Sequence, residues 1–266
     1  MSELVVRVAG IGIYAPGLTG WPVAAEALRG GAVPESTEPP RPAPPLLPAA
    51  ERRRAPDTVL YAAQAAAEAC AMAQADPAAL PCIFSSTQGD IVITDYMCST
   101  LATAPRELSP TKFHNSVHNA AVGYWSIATG CRAPSTAVSA WIHSFGSGLF
   151  EAAVQAIDDA GPVLLVVYDA AAAGALRSTI PFDCGFALAL VLAPDAPDVA
   201  GTRVRLSAAN TPGAASEPTL DWARTLRARN ACADSLALLQ ALAVGEPATL
   251  RIDAGPSFAL LAQVTP

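Results

Sequence analysis

Three histidines, at positions 114, 118 and 143, are the side chains best suited to acid–base chemistry or metal binding. His114 and His118 are four residues apart in a predicted helix, a spacing that could place both imidazoles on one metal ion. No Glu lies between them at the position that a zinc protease requires, and no third ligand is evident. We therefore interpret the two histidines as structural, and we expect neither a metal nor any other cofactor.

Gly10 and Gly12 follow a predicted strand and match the start of a dinucleotide-binding motif. That motif needs a helix directly after the glycines and an acidic residue at the end of a second strand. Here Pro16-Gly17 follows, and the next acids, Glu35 and Glu38, lie in a proline-rich segment. A tight turn is the favoured interpretation. A P-loop and a serine-hydrolase elbow are excluded because the sequence has neither G-K-[ST] nor G-x-S-x-G.

The composition is that of a folded cytoplasmic protein. Of 266 residues, 52% are hydrophobic and 15% charged, which excludes intrinsic disorder. The net charge of −7, with Lys112 as the only lysine, disfavours nucleic-acid binding. The six cysteines form no C-x-x-C pair, and no segment resembles a secretory signal or a membrane span. We expect reduced thiols, a cytoplasmic location and a single domain over residues 1–266.

Strands alternate with long helices in the predicted secondary structure, which indicates an α/β layered fold with a largely buried sheet. The predicted strands are 5–14, 82–86, 135–140, 163–168, 186–192, 203–208, 249–252 and 258–264. The predicted helices are 21–29, 57–75, 90–102, 111–129, 145–160 and 220–243, and a proline-rich loop covers 32–48.

Residues 109–123 resemble the S-P-x-x-F/V-x-N/S-x-x-x-N-x-x-x-G segment of β-ketoacyl synthases, and residues 130–135 resemble the G-x-x-G-P-S turn that follows it in those enzymes. Arg52-Arg53-Arg54 and the stretch from Phe182 to Ala187 are similar to two further segments of the family. The resemblance covers roughly 4–195. It implies a thiolase-like fold that consists mainly of the N-terminal half, with 200–266 as a reduced C-terminal part.

In the synthases a nucleophilic cysteine opens the helix after the central strand, where the helix dipole lowers the thiol pKa. The resemblance places Ile142 at that position, and an isoleucine cannot form a thioester. Catalytic synthases also use two histidines, or His and Asn, in their C-terminal half, whereas this chain has no histidine after His143.

The member of the family that this chain resembles is a shortened chain-length factor of the aryl polyene and xanthomonadin type, which pairs with a catalytic ketosynthase. That resemblance implies a heterodimer in which acyl carrier protein docks mainly on the catalytic partner. It implies a dimer interface and a set of residues that close the partner's acyl tunnel. The implied interface residues are Ser135, Ala137, Val138, Ser139 and Trp141, and the implied tunnel residues are Tyr96, Met97, Leu101 and Phe113.

Two other functions remain open from the sequence. The chain could be a stand-alone thiolase-fold acyltransferase or malonyl-thioester decarboxylase that uses His114, His118 or His143, because decarboxylation needs donors for the enolate oxygen rather than a thiol. It could also be a self-associating acyl-binding protein. The tunnel residues could equally be core residues of this chain, since aromatic and Met side chains commonly fill cores.

Overall fold

A computed structural model of the chain describes residues 3–32, 41–180, 182–209 and 211–266. These residues form a single mixed sheet with helices on both faces. None of the helices in the described ranges combines the length and the hydropathy that a membrane-spanning helix requires.

The sheet has the strand order β4-β3-β5-β6-β1-β7-β9-β8, with β2 paired to β1. β3 is parallel to β4 and β5, and the other pairs are antiparallel. The strands are β1 (Leu4–Ala15), β2 (Leu18–Thr19), β3 (Cys82–Ser85), β4 (Ser135–Val138), β5 (Val163–Asp169), β6 (Phe186–Pro194), β7 (Thr202–Ala208), β8 (Ala248–Gly255) and β9 (Phe258–Thr265).

Alternate residues of the central strands face two separate hydrophobic cores. Leu164 and Val166 of β5 pack toward the alanine-rich α3 and toward α6, whereas Leu165 and Val167 pack toward α7. The helices are α1 (Trp21–Leu28), α2 (Ala49–Arg54), α3 (Asp57–Ala73), α4 (Ile91–Thr103), α5 (Pro110–His114), α6 (Ala120–Thr129), α7 (Ser144–Asp158), α8 (Asp221–Arg227) and α9 (Leu236–Val244).

Gly10 and Gly12 allow β1 and α3 to pack at unusually short range. A Cβ atom on Gly10 would lie 2.1 Å from the Ala69 carbonyl oxygen, and one on Gly12 would lie 2.0 Å from the Ala65 carbonyl oxygen. The two glycines therefore face a helix backbone rather than a nucleotide. Both lie inside β1, which continues to Ala15, so the prediction of a tight turn at this motif was wrong.

The helix predicted over 220–243 is interrupted, and the prediction of one continuous helix there was wrong, whereas residues 111–129 are helical over most of their length, as predicted. Residues 111–129 form α5 and α6 with a turn between them, in which the buried side chain of Asn115 donates to the Arg54 carbonyl oxygen. Residues 220–243 form α8 and α9, separated by a turn and a 3-10 helix, Ala231–Ser235. There Asn230 donates to the Cys184 carbonyl oxygen and accepts from the Cys232 amide. In both turns side-chain hydrogen bonds to backbone replace helical ones.

Two smaller differences concern strand and loop bounds. The strand predicted over 135–140 ends at Val138, because Ser139 and Ala140 already belong to the turn before α7. Part of the predicted proline-rich loop, residues 33–40, lies outside the described residues. The remaining residues of that loop, 41–48, contain no helix or strand, and Arg41 donates to the Asp57 carboxylate and to the Ala55 carbonyl oxygen.

Candidate functional site

The turn between β4 and α7 contains the position at which the sequence predicts the missing nucleophile. Ile142 lies in this turn, one residue before the His143 N-cap of α7, and is 44% exposed. The Ser144 hydroxyl donates to the Trp141 carbonyl oxygen at 2.6 Å and accepts from the Ala140 amide at 3.0 Å, which closes the turn. Neither the Ile142 side chain nor the Trp141 side chain can act as a nucleophile.

Trp141 has a φ of 55°, which is left-handed backbone that bulky residues rarely adopt. Such a conformation costs on the order of 1–3 kcal/mol and persists only where the surroundings impose it. The strained residue of the turn is therefore Trp141 rather than Ile142. Trp141 is also 45% exposed, so the strained residue lies at the surface.

β4 is an edge strand whose outer side is open in the described part of the chain. The Cys82 amide donates to the Pro134 carbonyl oxygen, and the Ser86 amide donates to the Val138 carbonyl oxygen. Because backbone groups alternate along a strand, the N–H and C=O groups of Ser135 and Ala137 point away from β3. Ser135, Ala137, Ser139 and Trp141 are exposed and Val138 is half-buried, so the structure brings the five predicted interface residues to one edge.

The opposite edge of the sheet is covered in part. On β8, the Arg251 carbonyl oxygen accepts from the Ser216 amide, and the Arg251 amide donates to the Ser216 hydroxyl. Edge strands with free backbone groups readily pair with another chain. Of the two edges, β4 is therefore the more open one in the described part of the chain.

Several large apolar side chains in the segments just before and just after β4 in the sequence are exposed. Ile127 at the end of α6 is 82% exposed, the highest exposure among the large hydrophobic residues described. Val117, Phe113, Trp141 and Ile142 are each exposed by more than two fifths. Clusters of exposed apolar residues mark interaction surfaces rather than solvent-facing ones.

The four predicted tunnel residues fall into two environments. Tyr96 is half-buried, its hydroxyl accepts from the Ser109 amide at 3.1 Å, and the Lys112 ammonium lies 3.6 Å from its ring centroid. Tyr96 thus joins α4 to the start of α5. Met97 is half-buried on the same helix, and Leu101 is exposed.

Phe113 lies elsewhere, in a groove of about 1030 Å³ between α2, α5 and α6. Phe113 is 57% exposed and shares the groove with Val117 and Ile127. Tyr96, Met97 and Leu101 do not line it. Ile127, Val117 and Tyr124 were missed by the sequence reasoning, although the family-like spacing of residues 109–123 already marked the segment that carries Val117.

The three histidines have separate roles in the structure. His114 ends α5 and contacts the Tyr124 ring edge-to-face at 6.4 Å. His118 lies in the turn before α6, and its Nε2 is 3.0 Å from the Ser86 carbonyl oxygen, so that this nitrogen donates. The sequence predicted His114 and His118 on one helix, but the structure places His114 in α5 and His118 in the turn after it. Within the described ranges, no group of three His, Cys, Asp or Glu residues is placed to hold a metal ion.

None of the six cysteines forms a disulfide bond; five are buried and one, Cys98, is exposed. Burial raises the pKa of the Cys70 and Cys82 thiols to about 12. Burial also raises the pKa of Cys232 well above its usual value, and the nearby Asp169 carboxylate acts in the same direction. These three thiols therefore stay protonated near neutral pH and are unsuited to nucleophilic catalysis.

A buried polar cluster at the carboxyl ends of β3 and β5 was also missed by the sequence reasoning. Asp169 accepts hydrogen bonds from the Ser86 hydroxyl, from the Thr87 amide and hydroxyl, and from the Cys232 thiol. Burial raises the pKa of Asp169, and the hydrogen bonds from Thr87, Cys232 and Ser86 oppose that rise. No local sequence pattern marks a single Asp at the end of an apolar strand.

Comparison with known proteins identifies the fold and the family. A family model described as "Beta-ketoacyl synthase, N-terminal domain" matches residues 24–253. A search of curated proteins gave no match. Among solved structures, a chain of the ketosynthase ApeO in complex with its chain length factor ApeC, from Xenorhabdus doucetiae, is 23% identical with a TM-score of 0.72. The match covers 98% of this chain and 99% of that chain.

Two further complexes contain chains of the same fold. One is AntDE:AntF, a type II PKS acyl-carrier protein in complex with its ketosynthase bound to the hexaketide (12% identity, TM-score 0.73, 99% of both chains). The other is the ishigamide ketosynthase/chain length factor (13% identity, TM-score 0.66, 98% of this chain and 99% of that one). The predicted thiolase-like ketosynthase fold is thereby confirmed. Since the family model matches well over half of its residues, this chain belongs to the beta-ketoacyl synthase family.

Proposed function

We propose that this protein is a non-catalytic chain-length factor that pairs with a catalytic β-ketoacyl synthase in a type II, aryl polyene-like pathway in the cytoplasm. The observation that carries the proposal is the open edge of β4, flanked by the turn that holds Ile142 where the family has its nucleophile. The pairing of ketosynthase with chain length factor in the similar complexes supports the same assignment.

The surface chemistry supports a protein partner at this edge. The N–H and C=O groups of Ser135 and Ala137 would be satisfied by a strand of the synthase. The exposed Trp141 and Ile127 would be covered in the same complex. The sequence has no Asp or Glu between Glu107 and Glu151, so the segment that carries these groups can be buried without desolvating a carboxylate.

Co-expression with the synthase encoded beside it, followed by size-exclusion chromatography, tests the proposal. We expect a one-to-one complex, and we expect this chain alone to be insoluble or oligomeric because its apolar face is then exposed. A monodisperse, soluble monomer that does not bind the synthase would contradict the proposal.

The isolated chain should form no acyl-enzyme, and Ile142→Cys should not restore condensation. The reason is that a thiol alone lacks the downstream groups that stabilise the oxyanion and promote decarboxylation. Intact-mass spectrometry after incubation with acyl carrier thioester is the measurement. A mass increase equal to one acyl group on the wild-type chain would favour the alternative of a stand-alone acyltransferase. The His118 contact with Ser86 speaks against His118 as the catalytic group of that alternative, because it occupies Nε2.

Acyl carrier protein should bind the heterodimer at least tenfold more tightly than it binds this chain alone. Carrier proteins are acidic and are steered by basic surfaces, whereas all 23 Asp and Glu residues of this chain lie outside the segment 108–150 that the synthase is proposed to cover. Fluorescence anisotropy with a labelled carrier at two salt concentrations measures both affinities. Tight, salt-sensitive binding to this chain alone would contradict the expectation.

A further inference from the structure

The buried Asp169 carboxylate connects β5 to the loop that follows β3. Its Oδ1 accepts from the Ser86 hydroxyl at 2.7 Å, and its Oδ2 accepts from the Thr87 hydroxyl at 2.6 Å and from the Cys232 thiol at 3.1 Å. The Thr87 amide adds a fourth donor at 3.1 Å from Oδ1. Asp169, Ser86 and Thr87 are each less than a tenth exposed, so none of them can contact a partner protein.

The loop of residues 86–89 in turn holds two segments that reach the surface. The Ser86 carbonyl oxygen accepts from His118 Nε2 at 3.0 Å, and the Thr87 carbonyl oxygen accepts from the Ser139 hydroxyl at 2.9 Å. The Ser86 hydroxyl also accepts from the Gly89 amide at 2.8 Å. Gly89 has a φ of 71°, and a Cβ there would lie 3.3 Å from the His118 Cα, so the loop fits closely against the His118 turn.

These two segments are the ones that carry the proposed interface. His118 follows Phe113 and Val117 of the groove, and Ser139 lies between β4 and the strained Trp141. The Asp169 carboxylate is thus linked to His118 through Ser86 and to Ser139 through Thr87, in each case by two successive hydrogen bonds. A second hydroxyl–carbonyl contact, from Tyr168 to the His118 carbonyl oxygen at 3.2 Å, fixes the same turn from β5.

We propose that Asp169, Ser86 and Thr87 are positioning residues for subunit pairing: they hold the 115–119 turn and the 138–142 turn in the relative placement that the synthase recognises. This inference rests on the proposed heterodimer. It goes beyond it by assigning the shape of the interface to buried groups that never touch the partner.

The discriminating variant is Thr87→Val, which keeps the side-chain shape and removes the hydroxyl donor. Its matched control is Thr58→Val, because the buried Thr58 hydroxyl donates at 2.7 Å to another buried carboxylate, Asp90, which caps α4. Hydrogen–deuterium exchange of the isolated chain and the dissociation constant for the synthase are both measured, at a temperature where each variant is folded by circular dichroism.

We expect Thr87→Val to speed amide exchange in residues 138–142 at least tenfold and to raise the dissociation constant at least tenfold, with Thr58→Val changing neither. If Thr87 only stabilised the fold, both variants would lower the melting temperature, and Thr87→Val would not selectively change the amide exchange of residues 138–142 or the dissociation constant. A folded Thr87→Val protein with wild-type exchange and affinity would overturn the proposal.

If Thr87→Val fails to fold, Ser139→Ala removes only the last link from an exposed position and should raise exchange in the same turn. Unchanged exchange in Ser139→Ala would then overturn the proposal. If the wild-type chain does not bind the synthase at all, the proposed function fails, whereas the exchange measurements still decide whether the buried groups position the two turns.

Discussion

Ala137→Pro should abolish pairing with the catalytic synthase while the isolated chain keeps its secondary structure. The Ala137 N–H points away from β3, so proline removes a donor that the chain itself does not use. Proline is tolerated on an edge strand with an outward N–H but is essentially absent from the middle of a sheet, which is where β4 would lie in the heterodimer. We expect the dissociation constant to rise about 100-fold, or about 2.8 kcal/mol.

Thr249→Pro is the matched control for this experiment. Thr249 is exposed on β8, the opposite edge, two residues from Arg251, whose backbone also faces away from the sheet. Isothermal titration with the synthase gives the affinities, and far-ultraviolet circular dichroism reports the fold. Val138 is unsuitable for the test because its carbonyl oxygen accepts from the Ser86 amide, so its backbone faces β3. Wild-type affinity of Ala137→Pro would refute strand pairing at β4.

Phe113→Ala should lengthen the products of the reconstituted heterodimer without abolishing turnover. A side chain that closes a tunnel acts by steric exclusion, and forcing extra methylenes against it costs about 1–3 kcal/mol. That cost corresponds to about a 5- to 150-fold lower rate for the next elongation step. Phe113 is exposed in the groove and belongs to none of the hydrophobic cores of the described residues, so its truncation should leave the fold intact.

Two comparison variants sharpen the chain-length experiment. Tyr96 accepts a hydrogen bond from the Ser109 amide and lies under Lys112, so Tyr96→Ala should alter product length only together with a loss of stability. Val154→Ala, an exposed position on α7, should change neither. Product distributions come from mass spectrometry of the purified system. Parent-length products from Phe113→Ala at the normal rate would show that chain length is set elsewhere.

Local sequence pattern predicted the central strands to within two residues. β5 and β6 are continuous apolar runs that must be buried on both faces, and Gly161-Pro162 marks the start of β5. The same pattern did not mark the turns at residues 115–119 and 228–235. In those turns Asn115 and Asn230 bond to backbone groups more than 40 residues away, and a local pattern cannot register such contacts.

Some features of the candidate site could likewise be predicted from the sequence and others could not. The family resemblance predicted a role for Ile142 and for the strand of Ser135, because both lie in an ungapped, motif-bearing segment. It could not locate Asp169, whose importance comes from three segments that meet only in the folded chain. It also grouped Phe113 with Tyr96, although the two side chains lie in different environments once α4 and α5 are packed.

The unequal edges of the sheet set the stoichiometry of any assembly. A sheet with two open edges can add chains at both sides and grow into a fibre, whereas one with a single open edge stops after one addition. Here Ser216 caps β8 at Arg251, whereas no segment in the described ranges covers the outer side of β4. We therefore expect pairing through β4 to predominate, and overproduction without the synthase should yield discrete self-pairs or amorphous aggregates rather than ordered filaments.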